Sequence, residues 1–250
     1  MFTKNEILNI AKKQLSLDFS CEIEDLEKVE NTVVEKQHKI GRRLYANDGC
    51  SLKILCFGRR AVVSTTPEIM PWFQKKLNDY DANWLFLFPV LRNIDKMLKD
   101  FGHEVADIHH FYLPLGAYEE VEPITDIRWY EKDDIIQFKN DDRFDEAFAF
   151  DDNYPDVLAI AALNGDEIIG MAGASCDCED MWQIGINVME GYRGKGIATN
   201  LVSLLKNEIM KRGKIPFYST IESNIYSQGV AIKSGFIPVW AELYSREKIL

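Results

Sequence analysis

Trp182-Gln183-Ile184-Gly185-Ile186-Asn187-Val188, continued by Met189-Glu190-Gly191-Tyr192-Arg193-Gly194-Lys195-Gly196-Ile197-Ala198, joins an apolar strand pattern to a helix through a glycine-rich turn. The first seven residues have strand length. After Ala198 the apolar residues Leu201, Val202, Leu204, Leu205 and Ile209 recur at helical intervals. Small residues at such a junction let several backbone N–H groups point into one concavity, and the positive end of the helix dipole adds to its attraction for a diphosphate. The turn is a candidate anion cradle, although a glycine-rich turn taken alone is equally a structural one. It is neither a Walker loop, since G-x-x-x-x-G-K-[ST] is absent, nor a dinucleotide fingerprint, since G-x-G-x-x-G is not met.

Working outward, Val157 to Leu163 and Ile168 to Ser175 read as apolar strands around Asn164-Gly165-Asp166, a hairpin signal. Downstream come a further apolar run, Ile215 to Ile221, a segment from Asn224 to Ser234, and Gly235-Phe236. In loop, order and spacing this half resembles the GNAT N-acetyltransferases, whose pyrophosphate-loop pattern Q/R-x-x-G-x-G/A is met by Arg193, Gly196 and Ala198. The resemblance implies an α/β (α+β) fold, a mixed and mostly antiparallel sheet flanked by helices. The strand Trp182–Val188 would be the family's fourth and Ile215–Ile221 its fifth, splayed to leave a slot, with Asn224–Ser234 the next helix and Gly235-Phe236 preceding the last strands. A pantetheine arm would lie in the slot like an added strand, bonded to backbone groups near Ile186 and Val188. Arg193, Gly194, Lys195, Gly196, Ile197 and Ala198 would hold the pyrophosphate. Asn224 matches an asparagine that commonly touches the pantetheine, and as a helix N-cap it reads equally well. Trp182 and Ile184 read as core.

The activity so implied is acetyl transfer from acetyl-CoA to the amine of a small molecule, by direct attack in a ternary complex and without a metal. An alkylammonium has a pKa of about 10, so a base must take its proton before attack. Glu222, beyond the fifth strand, is the first candidate, with Glu179 and Asp180 next; a solvated surface acid is the bland reading of each. Many family members carry a helix tyrosine four residues before the Gly-Phe pair to protonate the departing thiolate, and here that position is Ala231. Ser227, one turn earlier on the same face, is the candidate in its place, whereas Tyr226 lies about 140° round the helix. The stretch Gln137–Ala147 falls where the family covers its acceptor site; within it Arg143 and Glu146 are candidate substrate contacts, against the plainer reading of a solvated helix face. The missing phenol feeds a competing reading, a non-catalytic acyl-CoA-binding or regulatory protein.

The whole chain bounds these readings. Its 250 residues suit two modest domains. With 40 acidic against 29 basic residues and a net charge of -11, nucleic acid is an unsuitable partner. A cationic substrate suits it, as does plain solubility. Neither a run of eighteen apolar residues nor a signal peptide is expected, which points to the cytoplasm and away from membranes. The five cysteines lack paired CxxC spacing, and Cys176-Asp177-Cys178 reads as a turn. A homodimer is left open.

In the first half, Thr3 and Glu6 have capping-box spacing ahead of a helix. Ile23, Leu26, Val29, Val33 and Val34 suggest a second helix, Leu52–Phe57 and Ala61–Thr65 a hairpin, and Thr66-Pro67 a helix start. Then follow an expected strand from Trp84 to Phe88, a helix from Leu91 to Phe101 ended by Gly102, and a strand from Ile108 to Tyr112. His109-His110 point to opposite faces of that strand, and Arg42-Arg43 and Arg59-Arg60 read as solvated turns. Pro, Gly and acidic residues from 113 to 124 place the junction between domains 1–117 and 118–250. The element order suggests that the first domain is a degenerate copy of the second. Thr66-Pro67-Glu68 stands where the loop would be and has no glycine, so this copy should not bind CoA.

Overall fold

In the computed structural model, which describes residues 2–44 and 49–248, helix α1 (Lys4–Asp18) starts at the expected capping box. Glu6 N donates to Thr3 Oγ1 (3.2 Å) and Thr3 N to Glu6 Oε2 (2.7 Å). The expected second helix is a single 3-10 turn, Ile23–Leu26, followed by strand β1 (Thr32–Glu35). Thr32-Val33-Val34 is a β-branched run, stiff at χ1, and it pairs as a strand although its spacing also fits a helix. The hairpin β2 (Leu52–Phe57) and β3 (Arg60–Thr65) turns at Gly58, whose φ is 63°.

Helix α2 runs Met70–Lys76 with Pro71, not Pro67, in its first turn. The expected strand at Trp84–Phe88 is absent. Asp81 caps a 3-10 turn at Ala82–Trp84, accepting from Asn83 N (2.9 Å), and Phe88 opens helix α3 (Phe88–Lys99). Of that apolar run Leu85 is buried, while Trp84 and Phe88 stay 61% and 71% exposed. Strand β4 (His103–Leu113) follows Gly102 (φ 76°) and is longer than expected. Arg43 is no solvated turn residue: its side chain is 3% exposed and bound to Asp18 and Glu242.

The second half opens with a strand, β5 (Asp126–Glu131), then the short helix α4 (Lys132–Ile135) and 3-10 turns at Ile136–Phe138 and Asp142–Phe144. Strands β6 (Asp156–Asn164) and β7 (Glu167–Cys176) form the expected hairpin, with Gly165 at φ 61°. Strand β8 (Met181–Val188), helix α5 (Ile197–Lys211), strand β9 (Ile215–Ile221) and helix α6 (Ile225–Lys233) follow as expected. One strand closes the chain, β10 (Ile237–Glu247), where the resemblance implied more than one.

The chain divides into two compact units, neither of them contiguous in sequence. One comprises the residues up to Ile7 with Tyr112–Pro238; the other comprises Leu8–Phe111 with the residues from Val239 on. In the first unit the sheet order is β5-β6-β7-β8-β9, antiparallel as far as β8 and parallel between β8 and β9. Its core gathers Leu158, Ile160, Ala172, Ile184, Leu201, Leu205, Tyr218, Ala231 and Phe236 under α5 and α6. In the second unit the order is β1-β3-β2-β10-β4, with β1 parallel to β3 and β10 antiparallel to β2. A hairpin flanked by β1 on one side and β10 on the other has no counterpart in the meander β5-β6-β7-β8, so strand order gives the expected internal copy no support.

Candidate functional site

Ile215 N donates to Asp180 O (2.9 Å) on the β9 side of β8, and Met189 N donates to Ile169 O (3.0 Å) on the β7 side. Backbone groups of successive strand residues alternate sides. Ile186 and Val188, like Asp180, therefore turn their N–H and C=O toward β9. Pairing of β8 with β9 covers Met181↔Ile215 to Ile184↔Tyr218 and stops there. Beyond that point the groups of Ile186 and Val188 face a gap whose far bank is Ser219, Thr220 and Ile221. Gln183 Nε2 donates to Ser219 Oγ (3.2 Å) where the gap begins.

The glycine-rich turn stands at the open end of this gap. Gly194 and Gly196 have φ of 77° and 84°, a left-handed backbone costly for any residue with a Cβ. Gly196 is the N-cap of α5 and no side chain caps that end. The first-turn N–H groups of Ile197, Ala198 and Thr199, which have no intrahelical acceptor, are thereby directed out of the helix end. Gly170 of β7 lets that end approach the sheet: a Cβ there would stand 3.0 Å from Ile197 Cγ2 and 3.3 Å from Leu201 Cδ1. Arg193 ties the turn to the strand through Nε to Val188 O (3.1 Å), so one carbonyl at the gap already has a donor. Lys195 Nζ donates to Gly191 O (3.0 Å) and lies 4.9 Å from the Tyr192 ring centroid. Two cations and an uncapped helix end thus surround the exposed turn, which suits a polyanion.

The segment 143–148 crosses β7 and β8. A Cβ at Gly185 would collide with the Glu146 carbonyl oxygen and stand 2.9 Å from its carbon, and one at Gly173 would do the same to Ala147. Asn187 fastens the crossing: its Oδ1 accepts from Glu146 N (3.0 Å) and Ala147 N (2.7 Å), and its Nδ2 donates to Asp145 Oδ1 (2.8 Å). Gly185→Ala is therefore expected to cost about 1–3 kcal/mol by overpacking and to dislodge Glu146. Urea unfolding measures the first effect, and an unchanged midpoint would contradict the packing described. Arg143 is held by Asp141 (Nη2 to Oδ2, 2.6 Å), and that bond raises its pKa.

Helix α6 closes the site. Asn224 does act as its N-cap, with Oδ1 accepting from Ser227 N (3.1 Å). Ser227 Oγ lies 2.8 Å from the Tyr218 hydroxyl. Burial pushes the Tyr218 phenol above its ordinary pKa; the Ser227 bond opposes this, and the charges of Glu146 and Tyr112 add to it. Nothing local in Ile215–Ile221 singles out Tyr218, which is followed by two further hydroxyl residues, Ser219 and Thr220. Tyr226 is 93% exposed, in keeping with its expected unsuitability, and Ala231 is fully buried. Glu222 is exposed in the turn after β9, on the open side of the gap, and its C=O accepts from Gln228 Nε2 (2.8 Å). Glu179 and Asp180 fall at the other, paired end of β8, where Glu179 O accepts from Lys214 Nζ (2.7 Å).

Cys176 is the last residue of β7 and Cys178 lies in the bend after it, and among the described residues no group of His, Cys, Asp and Glu is placed to hold a metal ion. No described helix is long and apolar enough to cross a membrane.

Residues 119–236 match the acetyltransferase (GNAT) family model. No curated protein matches the sequence. Among solved structures, a GCN5-related N-acetyltransferase-like protein from Streptococcus suis is 13% identical over 62% of this chain and 68% of its own, with a TM-score of 0.45. A GNAT-family acetyltransferase from Colwellia psychrerythraea is 14% identical over 62% and 61%, with a TM-score of 0.43. A tandem GNAT protein from the clavulanic acid biosynthesis pathway is 13% identical over 61% and 57%, with a TM-score of 0.45.

Proposed function

Residues 119–236 belong to the GNAT acetyltransferase family, and from that premise we propose that the protein is an N-acetyltransferase that uses acetyl-CoA to acetylate the amine of a small molecule, by direct attack within a ternary complex. The observation that carries this reading is the gap between β8 and β9, which opens beyond Ile184↔Tyr218 toward an uncapped helix end. From Val188 back to Ile184 the gap follows four strand residues, about 13 Å at 3.3 Å each. An extended arm carrying amides can bond there to Ile186 and Val188 as an added strand would. Arg193, Gly194, Lys195, Gly196, Ile197 and Ala198 then face its diphosphate. Asn224, already a cap, borders the same gap.

Acetyl-CoA supplies an activated acyl carbon; the chain must orient it, strip a proton from the amine and hold the leaving sulfur. Glu222 is the proposed base; it lies four residues beyond Tyr218 toward the glycine turn, about 13 Å in extended chain, so the amine's proton reaches it through a chain of waters. Glu146 and Arg143 belong to the segment that crosses the strands and are the proposed acceptor contacts, Glu146 as the group that attracts a cationic amine. Ser227, one turn before Ala231, serves the sulfur end.

The second reading, a protein that binds acyl-CoA without turning it over, is favoured by one observation, the fully buried Ala231 in place of a phenol. Thiol release from acetyl-CoA across a panel of polyamines, aminoglycosides, amino acids and peptide N-termini separates the two. The expected result is release that depends on at least one amine. Tight CoA binding without such release across the panel would leave the second reading in possession.

A further inference from the structure

The space that a large side chain at 231 would need is already filled. Ala231 sits in the cluster that holds Tyr218 and Phe236, whose ring centroids are 6.1 Å apart. The phenol comes instead from the strand. We propose that the Tyr218 hydroxyl, braced by Ser227, donates a hydrogen bond to the sulfur of CoA as it departs, from β9 rather than from α6. This rests on the reading of the gap as the acetyl-CoA site.

Three observations carry it. Tyr218 is the last β9 residue paired with β8, so it marks the closed end of the gap. An arm anchored at the glycine turn and running back past Val188 and Ile186 delivers its thioester to that end. Next, the two hydroxyls lie 2.8 Å apart. Each carries one proton, and their mutual bond uses only one of the two. With Ser227 donating to the phenolic oxygen, the phenolic proton is left for the sulfur. Finally, the groups bearing on the phenol are Ser227 from α6, Glu146 from the crossing segment and Tyr112 at the end of β4.

The direction of the phenol's shift decides what kind of donor it is. An ordinary phenol titrates at about 10 and a thiol at about 8.5. Burial raises Tyr218 further. It therefore keeps its proton against a thiolate and stabilises the sulfur by a charge-assisted hydrogen bond. In the step so described, the N–C bond forms and the C–S bond breaks. Sulfur leaves with the electron pair as a thiolate, and the amine's proton passes to the base. The thiolate is protonated by water after release.

The test needs no acceptor. Thiolate absorbance of CoA bound to the full-length protein, titrated with pH, gives the pKa of the bound thiol. The wild type is expected to hold it below the free value, and Tyr218→Phe to raise it by about one unit, a tenfold loss of thiolate at a given pH. CoA affinity at pH 6, where the thiol is neutral, should stay within about twofold, because only the charged sulfur uses the bond. Ser227→Ala, a milder change, should shift the pKa the same way but less. A Tyr218→Phe protein that binds CoA with the wild-type thiol pKa overturns the proposal, as does the full shift in Ser227→Ala alone, which would make Ser227 the donor. Wild-type protein that binds no CoA removes the slot reading itself and this inference with it, and is told apart because no bound thiol exists to titrate.

Discussion

Gly196→Glu is expected to weaken CoA binding by at least about 100-fold, a loss of about 2.7 kcal/mol, while the protein still folds. The folding half follows from the surroundings of Gly196. The nearest atom to a Cβ there, apart from its chain neighbours, is Ile124 Cδ1 at 3.8 Å, so the new side chain meets open space. The left-handed backbone (φ 84°) costs about 1–2 kcal/mol for a residue with a Cβ. A carboxylate at a helix N-terminus returns about 0.3–1 kcal/mol of that. The binding half follows from the same carboxylate. It occupies the N–H groups of Ile197, Ala198 and Thr199 from within and sets a negative charge where a diphosphate must come. Gly196→Ala carries the backbone cost without the charge, and should keep affinity within about tenfold, or 1.4 kcal/mol. Titration calorimetry with CoA on both variants checks the pair. Wild-type affinity in Gly196→Glu would show that the turn does not hold the cofactor.

The turn was legible because everything that makes it is local: a strand, two glycines that need positive φ, and a helix stripe in one continuous stretch. The gap beside it was legible only through the resemblance, since a splay between β8 and β9 depends on where pairing stops, and no single-residue pattern records that. What escaped was mostly nonlocal or ambiguous. Val33 and Val34 satisfy helical spacing and β-propensity at once, and pairing with β3 settles the matter. Trp84 to Phe88 has a strand's apolar content, but Asp81 and Pro89 impose a cap and a helix start that composition alone does not weigh. Gly185 and Asn187 looked like ordinary strand residues. Their reason is the backbone of 145–147, about forty positions away, which crosses directly over them. Arg43 belongs with these, because two arginines that follow a glycine read as a solvated turn until the distant carboxylates Asp18 and Glu242 are known.

Those partners make Arg43→Met the substitution with the largest expected effect on stability, about 3–5 kcal/mol. Arg43 Nε meets Asp18 Oδ2 at 2.5 Å and Nη2 meets Glu242 Oε1 at 2.7 Å, with all three side chains nearly inaccessible. Trp240 Nε1 donates to the same Glu242 oxygen (2.6 Å), and the guanidinium carbon lies 5.4 Å from the Phe111 ring centroid, beside the stacked Phe111–Trp240 pair. One fork therefore joins the end of α1 to β10 within the second unit. Lys53 is buried in the same neighbourhood, and its ammonium is pushed down by burial while Cys50, Asp18 and Glu242 hold it up. Two carboxylates thus stand among three cations, Arg43, Lys53 and Lys36. Methionine fills the volume but takes the guanidinium from between Asp18 and Glu242, and the charge left undercompensated, rather than lost attraction, sets the cost. If that account is correct, Arg43→Lys should fall between the two, because it restores charge without the planar fork. Adding Asp18→Asn and Glu242→Gln to Arg43→Met should recover a large part of the loss by removing the stranded charges. Urea unfolding followed by far-ultraviolet circular dichroism measures all four proteins. A loss under about 1 kcal/mol for Arg43→Met, the range of exposed ion pairs, would mean that the cluster is hydrated in solution and that this arginine is a surface residue after all.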